Sequence, residues 1–261
     1  MMMHWSVIRT GDVIIARFSN PPMGYFTAAA AQELSQLIDE WEQSDARAIV
    51  LTGAEGRFIT HYSVEELIAF GEDREAMESI GTALSDGYHA LLRRLATLGK
   101  PVVAAIGGDC MGGGLELAMW CDIRVAERGD FRLGLPEVRL GIMPGGSGTQ
   151  RLVDLLGEGK AREMILTGCI VTPERAHAIG LVHHLSGDAL QEAIRIAADL
   201  ASLNPRAIAN IKLSLEPSGE RLSREANAFL DTMRSEEAIL TMRRYIQTAP
   251  ERRRAFLDDL D

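Results

Sequence analysis

Residues 100–126 read KPVVAAIGGDCMGGGLELAMWCDIRVA, and the architecture can be worked out from this segment. The apolar run Val102–Ile106 predicts a buried strand, and residues 113–121 predict an apolar helix after it. Three glycines, Gly112 to Gly114, form the junction. Glycine permits unusual backbone angles and lets a ligand come close to main-chain N–H groups. Because the positive end of the helix dipole lies at the same place, the turn suits an anion or a developing oxyanion.

Two familiar glycine motifs do not match this turn. A phosphate-binding P-loop requires Gly-x4-Gly-Lys-Ser/Thr, but Gly113 stands where a lysine would have to follow Gly112. A dinucleotide fingerprint requires Gly-x-Gly-x-x-Gly, but Leu117 stands three positions after Gly114. The glycine cluster therefore gives no support to nucleotide hydrolysis or to hydride transfer.

Two glutamates lie in apolar surroundings in and after this segment. Glu116 lies in Gly-Leu-Glu-Leu-Ala-Met-Trp, and Glu137 lies in Gly-Leu-Pro-Glu-Val-Arg-Leu-Gly. A carboxylate is costly to bury, so each is expected to be paired, protonated or functional. One interpretation is two structural carboxylates paired with Arg139 or Arg151. The other is acid/base chemistry beside a stabilised carbonyl oxygen, and the residues alone leave both open.

Outward from this segment, strand patterns alternate with helix patterns, and the chain is mostly helical from Thr149 onward. The predicted strands are 6–10, 13–18, 48–52, 102–106, 122–126 and 131–133. The predicted helices are 28–41, 75–98, 113–121 and 222–245, with further helix starts at Thr172-Pro173, Asp188 and Asn204-Pro205. This order predicts an α/β fold with a helical C-terminal extension. Nothing in the sequence marks a clean domain boundary.

The composition excludes several classes of function. The 261 residues include 27 Lys and Arg against 37 Asp and Glu, a net charge of −10, which argues against a nucleic-acid partner. Three cysteines without CxxC spacing favour a reducing compartment over a disulfide framework or a structural zinc site. No apolar run reaches the ~18 residues of a membrane span, and residues 1–18 lack a signal-peptide pattern. We therefore expect a soluble, cytoplasmic protein with no membrane partner.

Taken together, residues 100–126 and the following FRLGLPEVRLGIMPGGSGTQRL (131–152) resemble the signature of the crotonase superfamily, the enoyl-CoA hydratase/isomerase family. The resemblance continues through MILTGCIVTPERAHAIGLVHHL (164–185) into the C-terminal helices. It implies an α/β fold in which residues 1–200 form a crotonase-type spiral of ββα units with the active site. Residues 201–261 would form a helical trimerisation region of the same fold unit, and the assembly would be a homotrimer or homohexamer.

The resemblance also assigns roles to the glycine turn and the glutamates. Gly113 matches the glycine whose N–H forms half of a thioester oxyanion hole. Glu116 and Glu137 match the two glutamates with which hydratases hold and activate water. Both are retained here, which favours an enoyl-CoA hydratase that adds water syn across the double bond of a 2-enoyl-CoA. Glu137 would be the main acid/base group, and Glu116 would position the water and help to deprotonate it. No resident cofactor or metal is implied, because coenzyme A is part of the acyl-CoA substrate.

The loop that should supply the second half of the oxyanion hole departs from the family pattern. Family members commonly read F-x-A-G-A-D, whereas residues 58–63 read FITHYS. The aligned donor is the backbone N–H of Tyr62, which a change of side chain can leave in place. The residues expected to contact substrate are Thr60, His61, Ser63 and Gly112. Alternatively, His61 and Tyr62 point to solvent or pack within the loop, although a buried Tyr62 phenol would need a hydrogen-bond partner.

Three other features bear on the site or on metal binding. Residues 20–27, NPPMGYFT, replace the family's frequent Asn-Pro-x-x-x-Asn-Ala beside the ligand. Near the C-terminus Tyr245 keeps an aromatic, and Arg252 to Arg254 would contact coenzyme A phosphates or form a solvated helix face. His183 and His184 are adjacent on a predicted strand and point to opposite faces, so metal binding there is not expected.

The altered loop keeps other functions open. Double-bond isomerisation, C–C cleavage and thioester hydrolysis are the alternative reactions of this family on an acyl-CoA. A non-catalytic scaffold that binds coenzyme A thioesters is the third hypothesis. It is the least favoured, because such a chain would have little reason to keep two carboxylates in apolar surroundings.

Overall fold

A six-stranded, mostly parallel sheet forms the centre of the fold. The computed structural model describes residues 4–54, 56–215 and 219–258. The strands of these ranges are β1 (Trp5–Thr10), β2 (Val13–Phe18), β3 (Ala48–Gly53), β4 (Arg57–Ile59), β5 (Val102–Ile106), β6 (Asp109–Met111), β7 (Ile123–Glu127), β8 (Leu133–Gly134), β9 (Ile170–Val171) and β10 (His184–Ser186). The large sheet has the order β1-β2-β3-β5-β7-β10, antiparallel only between β1 and β2. A smaller sheet has the order β4-β6-β8-β9.

Helices cover the sheets and make up most of the C-terminal part. They are α1 (Ala28–Gln43), α2 (Val64–Glu72), α3 (Arg74–Ile80), α4 (Ala83–Thr97), α5 (Gly113–Trp120), α6 (Gly148–Leu156), α7 (Glu158–Thr167), α8 (Pro173–Ile179), α9 (Ala189–Ser202), α10 (Pro205–Ser214), α11 (Gly219–Met233), α12 (Glu236–Gln247) and α13 (Arg253–Asp258). Short 3-10 helices span Glu137–Leu140 and Pro250–Arg252. Within the described ranges, no helix has the length and apolar character of a membrane span.

The α/β class and most of the predicted elements are confirmed. The first two strands form the predicted hairpin, and Gly11 takes the left-handed conformation of its turn with φ of +58°. The three predicted helix starts are also confirmed. The side chains of Thr172, Asp188 and Asn204 each accept a hydrogen bond from a backbone N–H in the first turn of the helix that follows.

Two predicted helices were wrong, because each is broken by a local signal. The predicted helix 75–98 is two helices, since Gly81 ends α3 with φ of +56° and ψ of −127°, which no helix continues. The predicted helix 222–245 is likewise two helices. Ser235 caps α12 by accepting a hydrogen bond from the N–H of Ala238 (3.4 Å), and two glutamates follow in the first turn. The apolar periodicity runs across both breaks and therefore concealed them.

Helix α5 lies at the centre of the arrangement that builds the site. All of its residues are buried, and it packs against β4, β6, α4 and α6. At Gly114 it touches the neighbouring strand directly, because a Cβ at this position would overlap the carbonyl oxygen of Ile59 at the end of β4. This contact brings the N-terminus of α5 beside the loop that follows β4.

The C-terminal helices fold over the opposite side of that loop. Phe229 of α11 and Tyr245 of α12 belong to one apolar cluster with Val64 of α2, and with Leu140 and Ile142 beside the first 3-10 helix. The helical C-terminal region therefore contributes to the surroundings of residues 61–64. The division at residue 200 stays a prediction.

Replacing Gly114 by alanine is expected to destabilise the protein by about 1–3 kcal/mol, because backbone atoms of α5 and β4 would have to separate. Gly87 is the matched control, since it lies inside α4 with no atom within 4 Å of an added Cβ. Gly87→Ala should leave the free energy of unfolding unchanged or raise it by up to ~1 kcal/mol. Urea unfolding midpoints measure both. A Gly114→Ala variant as stable as Gly87→Ala would contradict the close contact between α5 and β4.

Candidate active site

One cavity collects most of the residues that the sequence singled out. Its wall contains both glutamates, two glycines of the turn and two residues of the altered loop: Glu116, Glu137, Gly112, Gly113, His61 and Tyr62. The rest of the wall is mainly apolar and comes from α2, α4, the segment 136–146 and the C-terminal helices. The cavity therefore surrounds a few polar groups with hydrocarbon, as small-molecule sites do.

Glu116 lies in the first turn of α5 and is only 3% exposed. Its Oε1 atom accepts hydrogen bonds from the N–H groups of Gly146 (2.8 Å) and Gly148 (2.9 Å). Two backbone donors on one oxygen compensate for much of the hydration that a buried carboxylate loses. They also hold the carboxylate in one orientation toward the cavity.

The turn that holds Glu116 has room only for glycine on either side of Ser147. A Cβ at Gly148 would lie 2.7 Å from Glu116 Oε1, and a Cβ at Gly146 would overlap Glu116 Oε2. Ser147 itself is left-handed, with φ of +71°, and its buried hydroxyl contacts the indole Nε1 of Trp120 and the carbonyl of Gly146. Sequence reasoning missed these donors, although the run GGSG (145–148) was a signal for an unusual turn.

Glu137 begins the first 3-10 helix and faces the glycine turn. The register of the small sheet sets this, because Met111 pairs with Gly134 and the N–H of Gly112 donates to the Gly134 carbonyl (2.9 Å). A Cβ at Gly112 would lie 3.1 Å from Glu137 Oε1. The left-handed φ of +48° at Gly112 therefore serves both the turn into α5 and the close approach of this carboxylate.

The backbone N–H groups of Tyr62 and Gly113 come together at the N-terminus of α5. Gly113 is the first residue of the helix, so its N–H has no partner within the helix. The bridge between the loop and Phe26 uses the N–H groups of Phe26 (to His61 O, 2.8 Å) and Ser63 (to Phe26 O, 2.7 Å). Because alternate N–H groups of an extended segment point to opposite sides, that of Tyr62 points away from Phe26. A Cβ at Gly113 would lie 3.6 Å from Tyr62 N, so the backbone nitrogen of Tyr62 lies beside the first residue of α5.

Comparison of the sequence with known proteins identifies the family of this chain. The model of the enoyl-CoA hydratase/isomerase family matches residues 9–252. The chain is 36% identical to YngF of Bacillus subtilis (strain 168), whose name includes enoyl-CoA hydratase/isomerase, over 265 residues that cover 94% of this chain and 98% of YngF. The chain belongs to the enoyl-CoA hydratase/isomerase family. The resemblance to the crotonase superfamily is thereby confirmed.

Two solved structures confirm the fold of this family member. Each is more than 25% identical to this chain in sequence. DspI of Pseudomonas aeruginosa is 33% identical with a TM-score of 0.75, and the alignment covers 85% of this chain and 89% of DspI. An enoyl-CoA hydratase of Thermoplasma volcanium GSS1 is 27% identical with a TM-score of 0.74, covering 93% and 97% of the two chains. The predicted crotonase-type architecture is therefore confirmed.

The aromatic residues beside Gly113 in this family member are held by hydrogen bonds. The Tyr62 hydroxyl donates to Glu66 Oε2 (2.8 Å), and the same oxygen accepts from the N–H of Ala28 (2.9 Å). The Tyr88 hydroxyl donates to the Gly113 carbonyl (2.6 Å). Burial raises the pKa of both phenols, so they act as neutral donors. The expectation that a buried Tyr62 phenol needs a partner is confirmed.

The remaining loop residues differ in their placement. His61 lines the cavity and is 7% exposed, so the alternative in which it points to solvent was wrong. The Thr60 hydroxyl donates to the Met23 carbonyl (2.5 Å), and Ser63 caps α2 by accepting from the N–H of Glu66 (3.2 Å). Neither lies in the described cavity wall. Their role as substrate contacts stays a prediction.

The arginines near the site are engaged with backbone and side-chain acceptors. Arg139 donates to the carbonyls of residues 167 and 168, and Arg151 donates to the Met119 carbonyl (2.9 Å). Arg253 donates to the Tyr25 hydroxyl (2.5 Å), and Arg254 donates to the carboxylate of residue 109 (3.1 Å). Arg253 and Arg254 therefore do not belong to a solvated helix face, which was one interpretation of Arg252 to Arg254. The other interpretation, a contact with coenzyme A phosphates, stays a prediction. Across the described ranges, no cluster of His, Cys, Asp and Glu could hold a metal ion.

Substitutions of Ser147 separate its hydroxyl from its backbone conformation. Ser147→Ala keeps the left-handed backbone but removes a partner of the buried Trp120 indole, which should cost about 1–3 kcal/mol of unfolding free energy. Ser147→Gly removes the same hydroxyl and relieves the backbone strain. It should therefore be about 1 kcal/mol more stable than Ser147→Ala.

Urea unfolding measures this difference, with Ser202→Ala on the exposed end of α9 as a control expected within ~0.5 kcal/mol of wild type. If Ser147→Gly were the less stable of the two, the turn would not be strained in the way that its φ angle indicates.

Proposed function

We propose that the protein is an enoyl-CoA hydratase, which adds water syn across the α,β double bond of a 2-enoyl-CoA thioester. The observation that carries the proposal is one cavity that holds two carboxylates, Glu116 and Glu137, beside the neighbouring N–H groups of Tyr62 and Gly113. Hydration requires both parts, since one binds the carbonyl oxygen and the other handles water and its proton. The likeness to the T. volcanium protein, which is named an enoyl-CoA hydratase, supports the same reaction.

The two N–H groups would bind the thioester oxygen. As water attacks the β carbon, the π electrons move toward the carbonyl and negative charge develops on that oxygen. Donors that are already oriented stabilise this charge without reorganisation, and one such donor contributes about 10²–10³ in rate in comparable sites. The N-terminus of α5 adds the positive end of its dipole at the same oxygen.

The two carboxylates would manage the water from the same side of the substrate. Glu137 takes a proton from the water molecule while the water oxygen bonds to the β carbon. The protonated Glu137 then delivers a proton to the α carbon. Glu116, held by Gly146 and Gly148, positions the water and assists its deprotonation. Because oxygen and hydrogen arrive from one face, the addition is syn. Atoms balance, since the product is the enoyl-CoA plus one water.

Double-bond isomerisation is the second candidate, because the family model covers both hydratases and isomerases. Two carboxylates beside an oxyanion site can also move a proton from one carbon to another. The mass of the product separates the two reactions, since hydration adds one water and isomerisation adds none. Binding of thioesters without any turnover would instead favour the scaffold hypothesis.

The proposal also covers cofactors and assembly. Coenzyme A arrives as part of the substrate, and the scheme uses no resident cofactor or metal. Apolar residues such as Leu67 and Ile142 in the cavity wall support an acyl group that is itself apolar. Assembly as a homotrimer or homohexamer stays a prediction. Light scattering on the protein as it elutes from a size-exclusion column would measure the mass of the assembly.

Replacing Glu137 by glutamine is expected to lower kcat for water addition to a short 2-enoyl-CoA by about 10²–10⁴-fold, because the amide can neither accept nor return the proton. Glu116→Gln should lower kcat by about 10²-fold or more, since the amide cannot assist deprotonation of the water. The matched control is Glu163→Gln on the exposed face of α7, which should leave kcat unchanged. Mass spectrometry follows the gain of one water. Near-normal turnover by Glu137→Gln would contradict the assignment of Glu137 as the acid/base group. A wild-type product of unchanged mass would contradict hydration as the reaction.

A further inference from the structure

The imidazole of His61 links the proposed oxyanion hole to the C-terminal helices. Its Nδ1 atom lies 2.6 Å from the carbonyl oxygen of Tyr62, and its Nε2 atom lies 2.7 Å from the hydroxyl oxygen of Tyr245. The first contact joins neighbouring residues of the loop, and the second spans 184 positions of sequence. His61 thus makes a direct hydrogen-bonded connection between the altered loop and α12.

These two contacts define the protonation of the ring. A carbonyl oxygen can only accept, so Nδ1 carries the hydrogen and donates to Tyr62. Burial lowers the pKa of His61 to about 4, so the ring is neutral near pH 7 and Nε2 is an acceptor. The Tyr245 hydroxyl therefore donates to Nε2. One tautomer satisfies both contacts, and the ring is fixed at both nitrogens.

Tyr62 is consequently held at both of its peptide groups. The carbonyl before it belongs to His61 and accepts from the N–H of Phe26 (2.8 Å). The carbonyl after it accepts from the His61 ring, and the next N–H, that of Ser63, donates to Phe26 (2.7 Å). Rotation of either peptide would break one of these bonds. The Tyr62 N–H belongs to the first of these peptides, which Phe26 holds. The His61 ring helps to hold the second peptide, so φ and ψ of Tyr62, and with them the direction of its N–H, are restricted from both sides.

The other end of the link is itself anchored. Tyr25 stacks on His61 with ring centroids 4.3 Å apart, and Arg253 donates to the Tyr25 hydroxyl (2.5 Å). The same guanidinium lies 5.4 Å from the centre of the Tyr245 ring. Tyr245 is buried and packs against Phe256 of α13. The C-terminal helices thus hold His61 from the side opposite to Tyr62.

We propose that His61 is a positioning residue for the Tyr62 N–H of the oxyanion hole, and that Tyr245 of α12 fixes the His61 ring for this purpose. The inference rests on the proposed function, because it assumes that this N–H binds a thioester oxygen. It gives the C-terminal helices a part in catalysis, since they help to set the direction of a donor in the loop after β4. His61 acts through Tyr62 and need not touch the substrate.

Two amides test the two ring nitrogens separately. His61→Asn places an amide N–H near the position of Nδ1, so it can still donate to the Tyr62 carbonyl while the contact with Tyr245 is lost. His61→Gln places its amide near Nε2, so it can still reach Tyr245 while the contact with Tyr62 is lost. Tyr245→Phe removes a single oxygen and leaves the ring packing in place. Urea unfolding identifies any variant that fails to fold, and Tyr245→Phe keeps the test available in that case.

The readout is the carbonyl stretch of bound [1-¹³C]butanoyl-CoA, a saturated thioester that cannot be hydrated. Polarisation by the hole lowers this frequency, so wild type should shift the band downward relative to the free thioester. His61→Gln should lose most of the shift and lower kcat for a short enoyl-CoA by about tenfold or more, with KM within about threefold. His61→Asn should retain most of the shift, and Tyr245→Phe should lose part of it.

Equal band shifts and equal kcat in wild type and His61→Gln would overturn the inference. Equal losses of band shift and of kcat in His61→Asn and His61→Gln would also overturn it, since the His61 ring would then be needed only for packing. Failure of the proposed reaction is distinguishable. A wild-type protein that shifts the band but hydrates no enoyl-CoA contradicts hydration, and the band comparison among the variants still decides the role of His61.

Discussion

The two hydrogen bonds from Gly146 and Gly148 to the Glu116 carboxylate hold the whole site together. Helix α5 is buried at every position, so a carboxylate within it would cost several kcal/mol without such donors. Both donors are backbone N–H groups, and their close approach to the oxygens leaves no room for a Cβ at either glycine. Ser147 lies between these two glycines with a left-handed backbone, and its buried hydroxyl contacts Trp120.

Anchoring Glu116 also fixes the other residues of the proposed catalytic group. Helix α5 carries Gly113 at its N-terminus, and its contact with β4 at Gly114 sets that end beside Tyr62. The register of β6 and β8 then brings Glu137 against Gly112. One buried helix thus joins the proposed acid/base groups to the proposed oxyanion donors, while His61 and Tyr245 connect them to the C-terminal helices.

The sequence predicted those parts of the site that depend on local pattern or on a long motif. The strand, glycine turn and helix around Gly113 could be read directly, and family resemblance supplied the pairing of Glu116 with Glu137. The donors at residues 146–148 were missed, because backbone N–H groups leave no side-chain signature and lie 30 or more positions from Glu116. The contact of His61 with Tyr245 depends on tertiary packing, which the sequence pattern does not show. The helix break at Gly81 depends on a single φ angle, which apolar periodicity cannot predict.

In the proposed reaction, Glu116 and Glu137 deliver both parts of one water to the same face of a double bond. Conversion of a short trans-2-enoyl-CoA in ²H₂O tests this stereochemistry, with the relative configuration at the α and β carbons read from proton coupling constants. We expect one deuteron at the α carbon and a hydroxyl at the β carbon, in the syn relation. An anti product, or a product with deuterium but no added oxygen, would contradict the assignment of these two carboxylates.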